Sequence, residues 1–488
     1  MRKLLTFSIA VLISGSLLAG GLVTNTNQSA MFTRLQNRNA STDIDAVYFN
    51  PAGLTRLGDG LYVSINNQTI SQTQTITNNY QYLSGAKPRS YQGDVSAPIY
   101  PGVYVAYKKG KFAVSGGFNV IGGGGGATYN AGLPSFEMSV ADLVPMLQSQ
   151  LYPLDQAFLA GTGTDPGFRN VTGYNSAIYF EGTSVYFGYQ ANLSYQITDM
   201  ISAAVGVRYV TAKNTYKGHI NNVTVDAPAA YGGTQTPGNY LRTIAAIPGV
   251  PAGVVTQLTA TAAYLDAATN VAADAEMSGS GVTPIISVDI APSDKINLSL
   301  RYEFKTSMDL KTTVHDNKTG GLFIQDSTAI ADMPASLSVG LDVKPLEKLK
   351  LSGSFNYYFD KNVDYDGQEK VDINMIDKNF VEFGVGAEYA FGKKLRASAG
   401  WVHTITGVND NYQNDMSFSN NTNSFGAGIG YRITPMIDLN LGGQYTTYAT
   451  NSKDFNHDLG TIPVAVTETY TKKTWLIGIG LDFHFGGK

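Results

Sequence analysis

The sequence predicts an all-β chain: an antiparallel transmembrane β-barrel of fourteen strands, preceded by a compact segment outside the strand pattern. Three observations carry this reading. Stretch after stretch alternates apolar and polar residues with a period of two, which puts an apolar side and a wet side on each strand. The connections between these stretches alternate strictly between tight turns and long loops, the rhythm of outer-membrane barrels with short periplasmic turns and long extracellular loops. No run beyond the N-terminus is long and apolar enough for a transmembrane helix.

Arg2 and Lys3 open the chain, residues 4–18 are mostly apolar, and the small residues Ala19, Gly20 and Gly21 follow. That is the pattern of a secretory signal peptide, read here as residues 1–19 with cleavage after Ala19. Residues 20–58 show no period. They are polar at first and then read Tyr48-Phe49-Asn50-Pro51-Ala52-Gly53-Leu54, a compact non-barrel element.

Strands are predicted at 59–77, 100–109, 111–121, 180–197, 200–217, 279–291, 294–313, 334–345, 347–360, 379–391, 394–408, 422–433, 436–448 and 472–485. Residues 296–310 show the pattern best. Ile296, Leu298, Leu300, Tyr302, Phe304, Met308 and Leu310 fall on one face, and Asn297, Ser299, Arg301, Glu303, Lys305 and Asp309 on the other. The last strand sets Trp475, Ile477, Ile479, Leu481, Phe483 and Phe485 against Gly478, Gly480, Asp482 and His484. A Lys or Arg on the lipid side at the midplane costs roughly 2–4 kcal/mol, so the charged face points inward. Turns at 108–111, 197–200, 291–295, 345–348, 391–394 and 433–436 carry Gly, Pro, Asp and Lys, ordinary turn chemistry. An even number of strands with short turns on one side places both barrel ends in the periplasm.

Two long loops stand out. Residues 122–179 begin with five glycines and carry a predicted helix near 139–159; residues 221–278 carry an Ala/Leu/Val-rich stretch at 254–273, also read as helical. These helices either form a greasy entrance over the barrel mouth or pack on each other as a lid.

Composition narrows the function. Charged residues are 15%, against about 25% in an average soluble protein, as suits a wall facing lipid. A net charge of −4 gives no basic surface for nucleic acid. The absence of cysteine excludes thiolate metal sites, a cysteine nucleophile and disulfides. His219, His315, His403, His457 and His484 are scattered without metal-ligand spacing. The glycines 122–126 lack the Lys-Ser/Thr of a phosphate loop, and no nucleophile elbow is present. The chain reads as a non-enzyme without cofactor or metal. A lumen that binds a carboxylate needs a cation. The candidates are Arg208, Lys213 and Lys217 on the fifth strand and Arg301 and Lys305 on the seventh; the other reading pairs them with carboxylates such as Glu303, Glu382 and Glu388.

Taken together, these residues resemble the long-chain fatty acid transporter family of outer-membrane barrels, the FadL/TodX type. Asn50-Pro51-Ala52, just before the first strand, is similar to that family's hatch motif. So are the strand count after an N-terminal segment of that size, Met333-Pro334-Ala335-Ser336-Leu337-Ser338-Val339-Gly340 at a strand start, and the strand pair around 281–302. The resemblance implies that residues 20–58 form a hatch inside the barrel. It implies passive uptake of a long-chain fatty acid or another hydrophobic small molecule by a monomer in the outer membrane of a Gram-negative cell. The ligand would be caught by the loops, rest in a pocket beside the hatch and leave sideways into the membrane lipid through a kink in the third strand. Gly116 and Gly117 on that strand are the positions to which the kink is assigned, because adjacent glycines weaken a strand; the other reading has them facing a crowded lumen. The alternatives for function are the same barrel carrying aromatic hydrocarbons and a non-transporting surface barrel.

Overall fold

The computed structural model describes residues 24–318, 323–363, 375–460 and 462–486. The expected signal peptide lies outside them. The strands are β1 (Gly60–Asn78), β2 (Arg89–Lys109), β3 (Phe112–Tyr129), β4 (Tyr174–Gln196), β5 (Ile201–Asp226), β6 (Thr234–Gln235), β7 (Val271–Ser293), β8 (Ile296–Glu303), β9 (Asp309–Asn317), β10 (Thr328–Ile330), β11 (Ser336–Leu346), β12 (Leu349–Tyr358), β13 (Phe380–Ala390), β14 (Leu395–Ile405), β15 (Thr422–Thr434), β16 (Ile437–Tyr448), β17 (Asn451–Leu459) and β18 (Ile462–Phe485). They make a closed antiparallel barrel of 14 staves. β8 with β9 forms one stave and β10 with β11 the next. β6 and β17 are short additions at one end, and β1 pairs with β18 to close the ring.

The wall is inside-out relative to a soluble protein. On β5, Val205, Val207 and Tyr209 are exposed while Ser202, Arg208 and Asn214 are buried. On β18, Ile477, Ile479 and Leu481 are exposed and Asp482 is buried. A band of exposed aliphatic and aromatic side chains around a polar interior is stable only in lipid, so the barrel spans a membrane.

Eight strands reach well past their predicted ends. β2 begins at Arg89, β5 runs to Asp226 and β18 begins at Ile462. Above the membrane both faces meet water, so the greasy alternation stops while backbone pairing continues. The loop predicted over 122–179 therefore shrinks to 130–173, and the glycines 122–126 belong to β3. Helices α1 (Ala30–Arg34) and α2 (Ala46–Phe49) lie inside the barrel. Four more, α3 (Pro134–Ala141), α4 (Leu143–Thr162), α5 (Pro237–Ala245) and α6 (Ala252–Ala268), build a cap over one end. The two helical loops pack on each other through Leu147, Leu151, Tyr240, Leu241, Ile244 and Leu258.

Candidate functional site

The segment before β1 fills the lumen. Residues 28–55 are buried apart from Thr42 and Asp43. Its own fold is held by charge: the Arg38 guanidinium bonds Asp43 at 2.6 Å and Asp45 at 2.8 Å, and the Ser29 side chain caps α1 through the Phe32 N–H. Buried charges are tolerated only when paired and hydrogen-bonded, and here they are.

Polar pairs from several staves then fix this plug to the wall. Arg34 pairs with Glu388 and donates to Asn440 at 2.8 Å, and Arg56 pairs with Asp289 at 3.0 Å. The Asn50-Pro51-Ala52 motif reaches two staves with three consecutive residues. Asn50 Nδ2 donates to Asp289 at 2.7 Å, the Pro51 carbonyl accepts from Ser194 at 2.7 Å, and the Ala52 N–H donates to Ser287 at 3.0 Å. Pro51, at the first position of the helical turn Pro51–Arg56, needs no partner for the N–H it lacks. The wall facing the plug is cut back to glycine where the backbones meet: a Cβ on Gly340 would lie 2.2 Å from the Ala40 nitrogen.

The five predicted cations separate. Arg208 grips Glu303 with two bonds of 2.8 and 2.9 Å, and Arg208 and Arg301 lie on the Tyr48 ring, each 4.8 Å from its centroid. Arg301 also bonds the Tyr48 carbonyl, so these two arginines hold the plug. Lys305 pairs with Asp332 at 2.8 Å. Lys213 and Lys217 are corrections to the sequence reading. They have the parity of Val205 and Tyr209 on β5, stand on the outside of the wall and pair there with Glu276 and Asp274. Strand parity alone separates them from Arg208. Glu303 and Glu388 take cations, while Glu382 accepts from Asn356 at 3.0 Å and from Thr26 at 3.3 Å. Among the described residues no cluster of His, Cys, Asp or Glu could hold a metal.

Above the plug lies a cavity of about 490 Å³, within the range of small-molecule sites. Thr24, Asn25, Thr26 and Asn27 line one side, Tyr129, Phe180 and Phe418 contribute rings, and Lys472 projects from β18. The sequence reading missed Lys472, although it shares the parity of Asp482 and His484, the wet face of that strand.

One side of this cavity is a break in the wall. β2 and β3 pair as far as Gly102 and Asn119 and resume at Val95 and Ala127; residues 96–101 and 120–126 form no ladder. Pro98 and Pro101 on β2 have no N–H to give. On β3, residues 119–122 are all buried, so the alternation of a wall strand is lost. The pairing of β3 with β4 slips twice, between Val120 and Gly122 and between Gly123 and Gly125. Gly123 has φ +74°, and a Cβ there would lie 2.1 Å from the Ser184 carbonyl oxygen, so only glycine fits. The N-terminal segment takes the place of β2. The Asn25 N–H donates to the Ile121 carbonyl at 2.9 Å, Gln28 Nε2 to Val120 at 3.0 Å, and Thr24 bridges Gly122. Gly116 and Gly117 lie elsewhere, in a ladder unbroken on both sides. A Cβ on Gly117 would crowd Tyr104 and the plug's Val47. The kink assigned to these two glycines therefore moves to 120–126, where the glycine run had looked like the start of a loop.

These features define a plugged, membrane-spanning β-barrel whose β2–β3 seam is closed from within by the N-terminal segment. Single-chain bacterial barrels with an even strand count belong to the outer membrane. Its fold is that of the FadL/TodX type. It matches a Pseudomonas aeruginosa FadL homologue at a TM-score of 0.62 with 14% identity, over 96% of this chain and 100% of that one. It matches the P. putida toluene transporter TodX at 0.54, also with 14% identity, over 92% and 95%. No family sequence model matches the chain, and no curated protein sequence does.

Proposed function

We propose that the chain is an outer-membrane channel for passive uptake of hydrophobic compounds, long-chain fatty acids foremost. The ligand is caught at the cap, rests in the cavity above the plug and leaves sideways between β2 and β3. The seam sealed from within carries this reading. Its two edges form no ladder, and the strands that make it are shaped by Pro98, Pro101 and Gly123. Lateral release is also favoured energetically. A bound chain gains about 0.8 kcal/mol per methylene on leaving water, and release into periplasmic water forfeits this while release into lipid keeps it. The Asn50-Pro51-Ala52 contacts keep the plug body in place, so the ligand has no straight path to the periplasm.

A second reading, the same barrel importing aromatic hydrocarbons, is supported by the likeness in fold to a toluene transporter. Radiolabelled palmitate and toluene offered to cells that lack their own uptake barrels and express this chain separate the two. Faster accumulation of palmitate is expected. Accumulation of toluene alone selects the second reading, and accumulation of neither refutes both.

A further inference from the structure

We propose that Lys472 is the head-group residue of the lumen cavity, and that the ligand is a single-chain carboxylate bound head-up under the cap with its tail toward the seam. This rests on the uptake reading above and names its substrate class and orientation.

Every cation nominated from the sequence is used elsewhere. Arg208 and Arg301 serve Glu303 and Tyr48, Lys305 serves Asp332, and Lys213 and Lys217 stand outside the wall. Lys472 lines the cavity and forms no ion pair among the described residues. Its ammonium donates to the Phe418 carbonyl at 2.6 Å and sits 4.1 Å from the centre of the Phe418 ring. An ammonium has three donors, so two remain for the cavity.

This arrangement selects among ligands. A neutral hydrocarbon filling the cavity would strip water from the ammonium and offer nothing in return, which is costly for a charge. A carboxylate converts that loss into a short charge-assisted hydrogen bond.

Register supplies the orientation. Lys472 pairs with Gln74 on β1, while the unladdered part of β2 lies beside Gln68 and Ile70 of the same strand, at Tyr100 and Ala97. Gln68 is six residues below Gln74, which at roughly 3.3 Å per residue is about 20 Å along the wall. Ile70, Val95 and Leu476 are among the residues lining the cavity. A head group at Lys472 thus sends its chain down toward the seam, and the tail enters the lipid first while the head leaves last.

The test uses the purified full-length protein with palmitate, hexadecanol of the same chain length and toluene, comparing wild type with Lys472→Met and Lys472→Arg. Barrel integrity in each is checked by heat-dependent gel migration. Wild type is expected to bind palmitate at least about tenfold tighter than hexadecanol, the difference one charged hydrogen bond supports. Lys472→Met should weaken palmitate to the level of hexadecanol without changing hexadecanol, and Lys472→Arg should restore the preference. Equal binding of palmitate and hexadecanol by wild type, or unchanged palmitate binding in Lys472→Met, overturns the head-group assignment and leaves uptake standing. Binding of toluene with neither C16 compound overturns the assignment and the fatty acid reading together.

Discussion

Among the described residues, ladder pairing in the wall lapses on both sides of residues 304–308 and again between β2 and β3, and the lapses are closed differently. Between the staves β8–β9 and β10–β11 the strands stop over 304–308 and 331–335, yet the backbone still seals itself. Thr306 and Met333 exchange N–H···O bonds of 3.0 and 2.9 Å, and the Ala331 N–H reaches Met308 at 2.8 Å. Between β2 and β3 the edges form no backbone ladder; the carbonyls of Val120 and Ile121 on β3 are met by Gln28 and Asn25 of the N-terminal segment, and that of Val120 also by the Tyr100 hydroxyl of β2. A self-paired seam opens only by losing its own hydrogen bonds. A seam closed by a separate segment can exchange that segment for solvent or ligand, so the lateral release proposed above predicts opening between β2 and β3 and not between β8–β9 and β10–β11.

The strongest way to break this contrast is to lock each seam. The chain has no cysteine of its own. A Cβ on Gly125 would lie 3.5 Å from the Ala97 Cβ, within the range of a disulfide; the φ of +91° at Gly125 strains a cysteine there, so the reduced double variant is the reference for the oxidised one. Ala97→Cys with Gly125→Cys is expected to reduce palmitate uptake to background under oxidising conditions and to recover with reductant. Thr306→Cys with Met333→Cys, the facing pair that already exchanges two backbone hydrogen bonds across the other seam, should leave uptake unchanged. Loss of uptake in both, or in neither, removes the distinction.

A smaller and opposite effect is expected from deleting residues 24–28. Val120, Ile121 and Gly123 then lose their inner partners, each bond being worth about 0.5–1.5 kcal/mol. Passage of a hydrophobic dye through reconstituted barrels should rise, and a fall would show that the segment guides ligand instead of sealing the seam. Next comes Gly123→Val, which forces a branched side chain into φ +74° against Ser184 at a cost of about 1–3 kcal/mol. Faster amide exchange at Ile121 is expected, with Thr306 and Met333 unaffected.

The smallest expected effect separates residues 24–28 from the plug body. Desolvation of the half-buried Asp43 carboxyl pushes it up, but Arg38 beside it, with help from Lys350 and Arg396, holds it well below the usual carboxylate range. A group with a depressed folded pKa contributes stability above its unfolded pKa and loses it only as the pH falls through the folded value. The Arg38–Asp43 pair therefore stays intact from pH 8 to pH 5, and protection of the plug from protease should be flat over that span. A drop near pH 5 would mean that the plug body itself loosens.

Parity was the most legible signal in the chain. It set the wet and greasy faces of β5, β8 and β18, and it would have moved Lys213 and Lys217 outside the wall had it been applied beyond the membrane. Strand ends above the lipid were not legible, because Arg89-Ser90-Tyr91-Gln92-Gly93-Asp94 has no greasy face to mark it as β2. The glycines 122–126 failed for a related reason: residues without side chains carry no alternation, so a bent strand looks like a loop. The plug motif was legible as a turn, while its partners Ser194, Ser287 and Asp289 were not.

The sequence by itself determined the architecture: period-two alternation, tight turns in strict rhythm and an inward charged face are local patterns that lipid and water enforce residue by residue. Only the tertiary structure decided which pieces meet. Asn25 reaches Ile121, Arg34 reaches Glu388, and Lys472 comes to line the cavity against Phe418. Such pairings depend on how the ring closes and where the N-terminal segment comes to rest inside it, and no local pattern encodes contacts between residues that far apart in the chain.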